Sequence, residues 1–152
     1  MESNWQADLS RSLLVEGLDL IIGEPLGGGI DRKVYVYGAN DDWVIKVEGE
    51  RNHRFQNVAE WQLWREVMEA PTLKRWLAPC IRISHSGNFL VMARTYPVLR
   101  RDLPKRIPVW LTDIKPENWG RLPSGAVVCH DYGLSLAASR GLGRATRPAR
   151  WT

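Results

Sequence analysis

The strongest helical period in this 152-residue chain falls in residues 55–68, where Val58, Trp61, Trp64, Arg65 and Met68 recur at spacings of three and four. Around it lie short apolar runs bounded by turn residues, at 18–22, 34–37, 43–47, 81–84 and 89–92. Runs of that length read as strands, and Gly-Ala-Asn-Asp-Asp and Ser86-Gly87-Asn88 are the kind of turns that join them into hairpins. One main helix among about five strands by residue 93 restricts the fold to the α+β class, a five-stranded antiparallel sheet with the helix pressed on it. Asn57 is placed to cap that helix, and a short helix is expected within residues 72–79. Apolar positions at Trp5, Leu9, Leu13 and Leu14 predict an N-terminal helix over residues 3–15, with Gly17 as its stop.

The chain is long enough for one domain with a real core. Its 44% apolar and 25% charged residues exclude wholesale disorder and collagen-like repetition. No apolar run approaches the roughly 18 residues of a membrane span, and MESNWQADLSR lacks the basic-then-apolar order of a secretory signal, so a cytoplasmic, non-membrane protein is expected. A net charge of +4 is too small to make nucleic acid the default partner. Cys80 and Cys129 form no CxxC pair and only three His accompany them, which argues for two reduced, buried thiols rather than a zinc site. The eight Trp are scattered, as core or groove aromatics are. Residues 94–108, basic and Pro-rich without a period, read as a linker, and residues 119–131 as a hairpin around Pro123-Ser124-Gly125. No acid follows Asp131, while Arg140, Arg144, Arg147 and Arg150 punctuate a Gly/Ala/Ser/Pro-rich stretch. Residues 134–152 therefore read as a basic, flexible tail, with an anionic partner such as nucleic acid as the alternative.

The polar residues that could carry chemistry concentrate in Leu111-Thr112-Asp113-Ile114-Lys115-Pro116-Glu117-Asn118 and in Val127-Val128-Cys129-His130-Asp131-Tyr132-Gly133. An Asp, a Lys two positions on, an Asn and then a second Asp beyond a hairpin stand on loops flanking short strands. This arrangement resembles the catalytic loop and metal-binding loop of the protein-kinase-like superfamily, HRDLKxxN and DFG. The resemblance implies a kinase-like fold with a near-complete N-lobe and a strongly reduced C-lobe. It implies that Asp113 orients and deprotonates an acceptor hydroxyl, that Lys115 contacts the moving phosphate, and that Asn118 and Asp131 hold Mg2+. Gly133 would turn the chain sharply behind Asp131. Leu111 and Thr112 replace the family's His and Arg, and Tyr132 its Phe. Without that Arg, regulation through a phosphorylated activation loop is not expected.

The N-terminal half adds to the resemblance. Gly27, Gly28, Gly29 and Val34 lie as in the kinase glycine-rich loop, with Arg32 where its third Gly would stand. Lys46, in Val-Ile-Lys, matches the strand lysine that holds the α and β phosphates of ATP. Its carboxylate partner is expected to be Glu60 rather than Glu66, because Glu60 shares a helix face with Leu63, Trp64 and Val67. Met92, on the strand entering the hinge, would sit near adenine, and His130 reads as structural. The expected layout is an N-terminal helix (1–17), N-lobe (18–93), hinge, catalytic loop and Asp-Tyr-Gly hairpin (94–133), and tail (134–152), all one domain.

Two functions follow from the resemblance: a minimal ATP- and Mg2+-dependent kinase acting on Ser/Thr hydroxyls, or a kinase-like binding or inhibitor protein (a pseudokinase) with little or no turnover. The short span between Met92 and Asp113 leaves no room for a helical acceptor platform. Trp110, Ile114, Trp119 and Leu134 are therefore expected on an open face, covered by a protein acceptor or partner, or by a second copy in a homodimer that presents its Arg-rich tail.

Overall fold

The computed structural model describes residues 10–29, 31–49, 54–134 and 141–151. Five strands form an antiparallel sheet in the order β1-β2-β3-β5-β4: β1 (Ile22–Gly28), β2 (Arg32–Tyr37), β3 (Trp43–Glu48), β4 (Cys80–Ile83) and β5 (Phe89–Ala93). The α+β architecture expected from the sequence, a five-stranded antiparallel sheet plus one main helix, is the one the chain adopts. β3 lies at the centre, and its Val44, Ile45 and Lys46 are all buried. Its register sets Lys46 between Val34 of β2 and Leu90 of β5, which carries a charged side chain into the interior.

The main helix, α2 (Gln56–Val67), buries Asn57, Glu60, Leu63 and Val67, one residue per turn on the face toward the sheet. Asn57 does not cap it. The preceding Phe55 takes a left-handed conformation (φ 56°), and the first helical N–H, of Gln56, is satisfied by Glu48 Oε1 at 2.6 Å, so the sheet itself supplies the cap. Asn57 is instead fully buried and its Nδ2 donates to the carbonyls of Lys46, Gly87 and Asn88 at 3.0–3.1 Å, tying the helix to β3 and the β4–β5 turn. A one-turn helix, α3 (Pro71–Lys74), follows, with proline at its first position.

Four expectations are corrected. The N-terminal helix, α1 (Arg11–Ile21), runs through Gly17 and takes in residues 18–21, which the sequence assigned to a strand. A glycine inside a helix costs only about 1 kcal/mol, and the leucines on either side continue the helical spacing. The earlier part of the expected helix, with Trp5 and Leu9, lies outside the described residues.

The supposed linker contains a 3₁₀ turn (Arg100–Asp102) and β6 (Arg106–Pro108). β6 pairs antiparallel with β9 (Thr146–Pro148), which belongs to the supposed flexible tail. The same tail segment holds Trp151, whose ring meets Trp119 edge-on at 5.5 Å and whose Nε1 donates to Pro104 O at 3.0 Å. Arg147 donates to Leu111 O at 2.9 Å.

Consequently Trp110 and Trp119 are 0% and 3% exposed rather than open to a partner. Trp110 also donates its Nε1 proton to Gly143 O. Leu134 remains exposed. The described part of the tail thus packs against its own chain through β9, Arg147 and Trp151, while Arg140 lies outside the described residues.

β7 (Trp119–Arg121) and β8 (Val127–Cys129) form the expected hairpin. Cys80 and Cys129 are both reduced and buried. Burial pushes the Cys80 thiol up to about 12 and that of Cys129 higher still. Among the described residues no α-helix follows Lys74, and no helix is long and apolar enough to cross a membrane.

Candidate active site

The β1–β2 hairpin overhangs a cleft of about 860 Å³. Gly27 and Gly28 both take φ +140°, and a Cβ on Gly28 would stand 2.4 Å from Arg32 O, so only glycine lets the two strands close here. Leu26, Val34 and Val44 give the sheet side of the cleft an apolar surface, and the chain leaving β5 at residues 93–97 edges it. Gly27, Gly28 and Gly29 line the cleft at the hairpin, and Asp113, Lys115, Asn118 and Asp131 line it from the loops outside the sheet. Seven of the sequence-predicted site residues thus share one cleft with Val34 and Lys46.

Lys46, 2% exposed, places Nζ 2.9 Å from Glu60 Oε2 and also donates to the carbonyl of His130. Glu60, and not Glu66, is therefore the lysine's partner. It is completely buried, and its other oxygen accepts from Arg32 Nη2 at 3.0 Å and from the Tyr132 amide at 3.1 Å. One carboxylate thereby joins β2, β3, α2 and the loop after β8. Burial alone would raise its pKa, but Lys46 and Arg32 outweigh that cost and hold it at about 2.

Asp113 and Lys115 stand together, with Nζ 3.7 Å from Oδ1. Asn118, on the 3₁₀ turn Pro116–Asn118, donates Nδ2 to Asp113 O at 3.1 Å, which fixes both the loop and the amide's orientation. Asp131 keeps 43% of its side chain exposed to the cleft and accepts from Arg32 Nη2 at 2.8 Å. His130, which also lines the cleft, is held by Thr95 Oγ1 at 2.8 Å from its Nδ1, and burial beside Lys46 lowers its pKa to about 4.

Two expectations change. Met92 is fully buried in the core opposite Cys80 and Val44 and does not line the cleft, although it shares the sheet face of Val44; the core cluster that includes Leu63, Val67 and Cys80 takes it up, and the residues after it line the cleft instead. Gly133 is needed for proximity: a Cβ there would lie 3.0 Å from Gln56 O, so the Asp-Tyr-Gly loop can press against the start of α2. The residue that sequence reasoning missed is Arg32, set aside as a departure from a glycine pattern. Its signal was the two-residue period of β2, which puts Arg32 on the same face as Val34 and Val36.

No family model matches the chain, and no curated protein matches it. Among solved structures, the ternary complex of streptomycin, ATP and APH(2")-IIa is similar over 60% of this chain, with 21% identity and a TM-score of 0.42. The chain spans 30% of the length of that protein.

Proposed function

We propose that the chain is a phosphotransferase that binds ATP with Mg2+ below the glycine hairpin and passes the γ-phosphate to a hydroxyl, of Ser or Thr on a protein acceptor. The observation that carries this reading is the buried Lys46–Glu60 ion pair set across one cleft from Asp113, Asn118 and Asp131. Phosphoryl transfer asks a protein chiefly to position the phosphates and neutralise their charge. Lys46, locked in place by Glu60, offers a fixed cation, and the apolar surface of Leu26, Val34 and Val44 offers a bed for a purine.

The donors present suit a hard ion. Asn118 spends its Nδ2 on Asp113 O, which leaves Oδ1 for a metal, and Asp131 Oδ2 has no partner among the described residues. Oxygen donors of this kind hold Mg2+, which supplies charge neutralisation at the phosphates when bound. In the transfer, the acceptor oxygen forms its bond to the γ-phosphorus as the bond to the bridging oxygen of ADP breaks. The hydroxyl proton passes to Asp113.

A second reading, a kinase-like binding protein with little turnover, is favoured by the Arg32–Asp131 ion pair, which already takes one oxygen of the metal-binding carboxylate. Purified protein with γ-labelled ATP and Mg2+ separates the two. Labelling of itself or of a lysate protein, lowered roughly 10²- to 10⁴-fold in Asp113→Asn with nucleotide affinity retained, supports the transferase. Nucleotide binding without transfer supports the binding protein.

A further inference from the structure

Arg32 stands where an incoming phosphate and a divalent metal would meet. It is 7% exposed, it lines the cleft beside Gly28 and Lys46, and its guanidinium is held at three points. Nη1 donates to Asn57 Oδ1 at 3.2 Å, and Nη2 to Glu60 Oε1 at 3.0 Å and Asp131 Oδ1 at 2.8 Å. These bonds differ in depth. Asn57 and Glu60 are completely buried, so they anchor the group, whereas Asp131 is partly exposed on the cleft wall.

The charges explain why the outer bond is the exchangeable one. Glu60, shared with Lys46 at 2.9 Å, is the strongest charge partner of Arg32, Asp131 is its partner on the cleft wall, and buried Glu48 attracts it more weakly. Once a cation takes Asp131, Arg32 loses its partner on the cleft wall, and its Nη2 faces the place where the phosphates would lie. A guanidinium has five N–H donors, of which three are used here, and its planar fork matches phosphate oxygens.

We propose that Arg32 is a second phosphate-binding cation of this cleft, held on Asp131 while the cleft is empty and transferred to the nucleotide's phosphate oxygens when a divalent metal takes that carboxylate. The inference rests on the nucleotide-binding reading above and adds a specificity-determining residue to it. It has a signature that a structural role lacks: Arg32 competes with a metal for Asp131 but assists the triphosphate, so its removal moves the two affinities in opposite directions.

The test uses the full chain with Arg32→Met, Arg32→Gln, which retains a donor toward Asn57, and Arg32→Lys, which retains the charge. Mn2+ binding without nucleotide is followed by electron paramagnetic resonance, and ATP and AMP binding at saturating Mg2+ by calorimetry. Arg32→Met and Arg32→Gln are expected to bind Mn2+ several-fold more tightly and ATP roughly tenfold to a hundredfold more weakly, from loss of a charge-assisted hydrogen bond. AMP, lacking the outer phosphates, should change less, and Arg32→Lys should recover part of the ATP affinity. Mn2+ and ATP affinities that stay unchanged, or fall together, in both neutral variants overturn the proposal. A wild type that binds no ATP overturns the nucleotide reading as well, whereas a wild type that binds ATP no better than the neutral variants overturns the role of Arg32 alone.

Discussion

Glu60→Gln should destabilise the protein by about 3–5 kcal/mol, because it leaves two buried cations facing a neutral amide. The structure gives the same size by a second route. Lys46 and Arg32 hold the Glu60 carboxyl at about 2 against an ordinary 4.5, which corresponds to about 3 kcal/mol of preference for the charged form in the folded state. The sign follows from the depressed value. This stabilisation is complete above pH 4.5 and is lost as the pH falls from there through about 2. Urea unfolding of wild type and Glu60→Gln at pH 7 and at several points between pH 5 and 2.5 checks both parts. The variant should start lower by that amount and lose less with acid than wild type, so that the two curves converge. A variant within about 1 kcal/mol of wild type at neutral pH, or with the same acid slope, would refute the claim that Glu60 is a charged keystone between two cations.

Gly28→Ala should cost roughly 1–3 kcal/mol from its backbone conformation alone, and more from the 2.4 Å approach to Arg32 O; thermal unfolding reads it. A chain ended after residue 140 loses β9 and Trp151, so Trp119 and Trp110 should become wetted, seen as red-shifted tryptophan emission and a lower unfolding midpoint. Unchanged emission would mean the tail segment does not pack. The buried thiols of Cys80 and Cys129 should resist a thiol reagent in the native state and both react on unfolding, since burial raises their pKa values.

Local pattern carried most of the sheet-and-helix half. The helical spacing from Val58 onward, the alternation of β2 and the turns at Ser86-Gly87-Asn88 are each decided by residues close in sequence, and the structure follows them. The pairing of β6 with β9 was not legible, because Arg106-Ile-Pro and Thr146-Arg-Pro are three residues long and carry no period of their own. Their stability comes from a non-local register and from Trp151 closing on Trp119. The cap of α2 was misread for a similar reason: Glu48 reaches Gln56 through the tertiary fold, while a sequence reading looks to the nearest Asn. Within the site, Lys46 and Glu60 were legible as a strand lysine and a residue on the apolar helix face. Arg32 was hidden because a charged residue on an inward strand position shows its meaning only when its partners, Glu60 and Asp131, are brought to it.

The most direct test of the central claim is calorimetric titration of the full chain with a non-hydrolysable ATP analogue, with and without Mg2+. The account predicts binding that Mg2+ tightens, weakened in Lys46→Ala with the metal effect kept, and stripped of the metal effect in Asp131→Ala. Absence of any binding by the wild type at millimolar nucleotide with Mg2+ would contradict it.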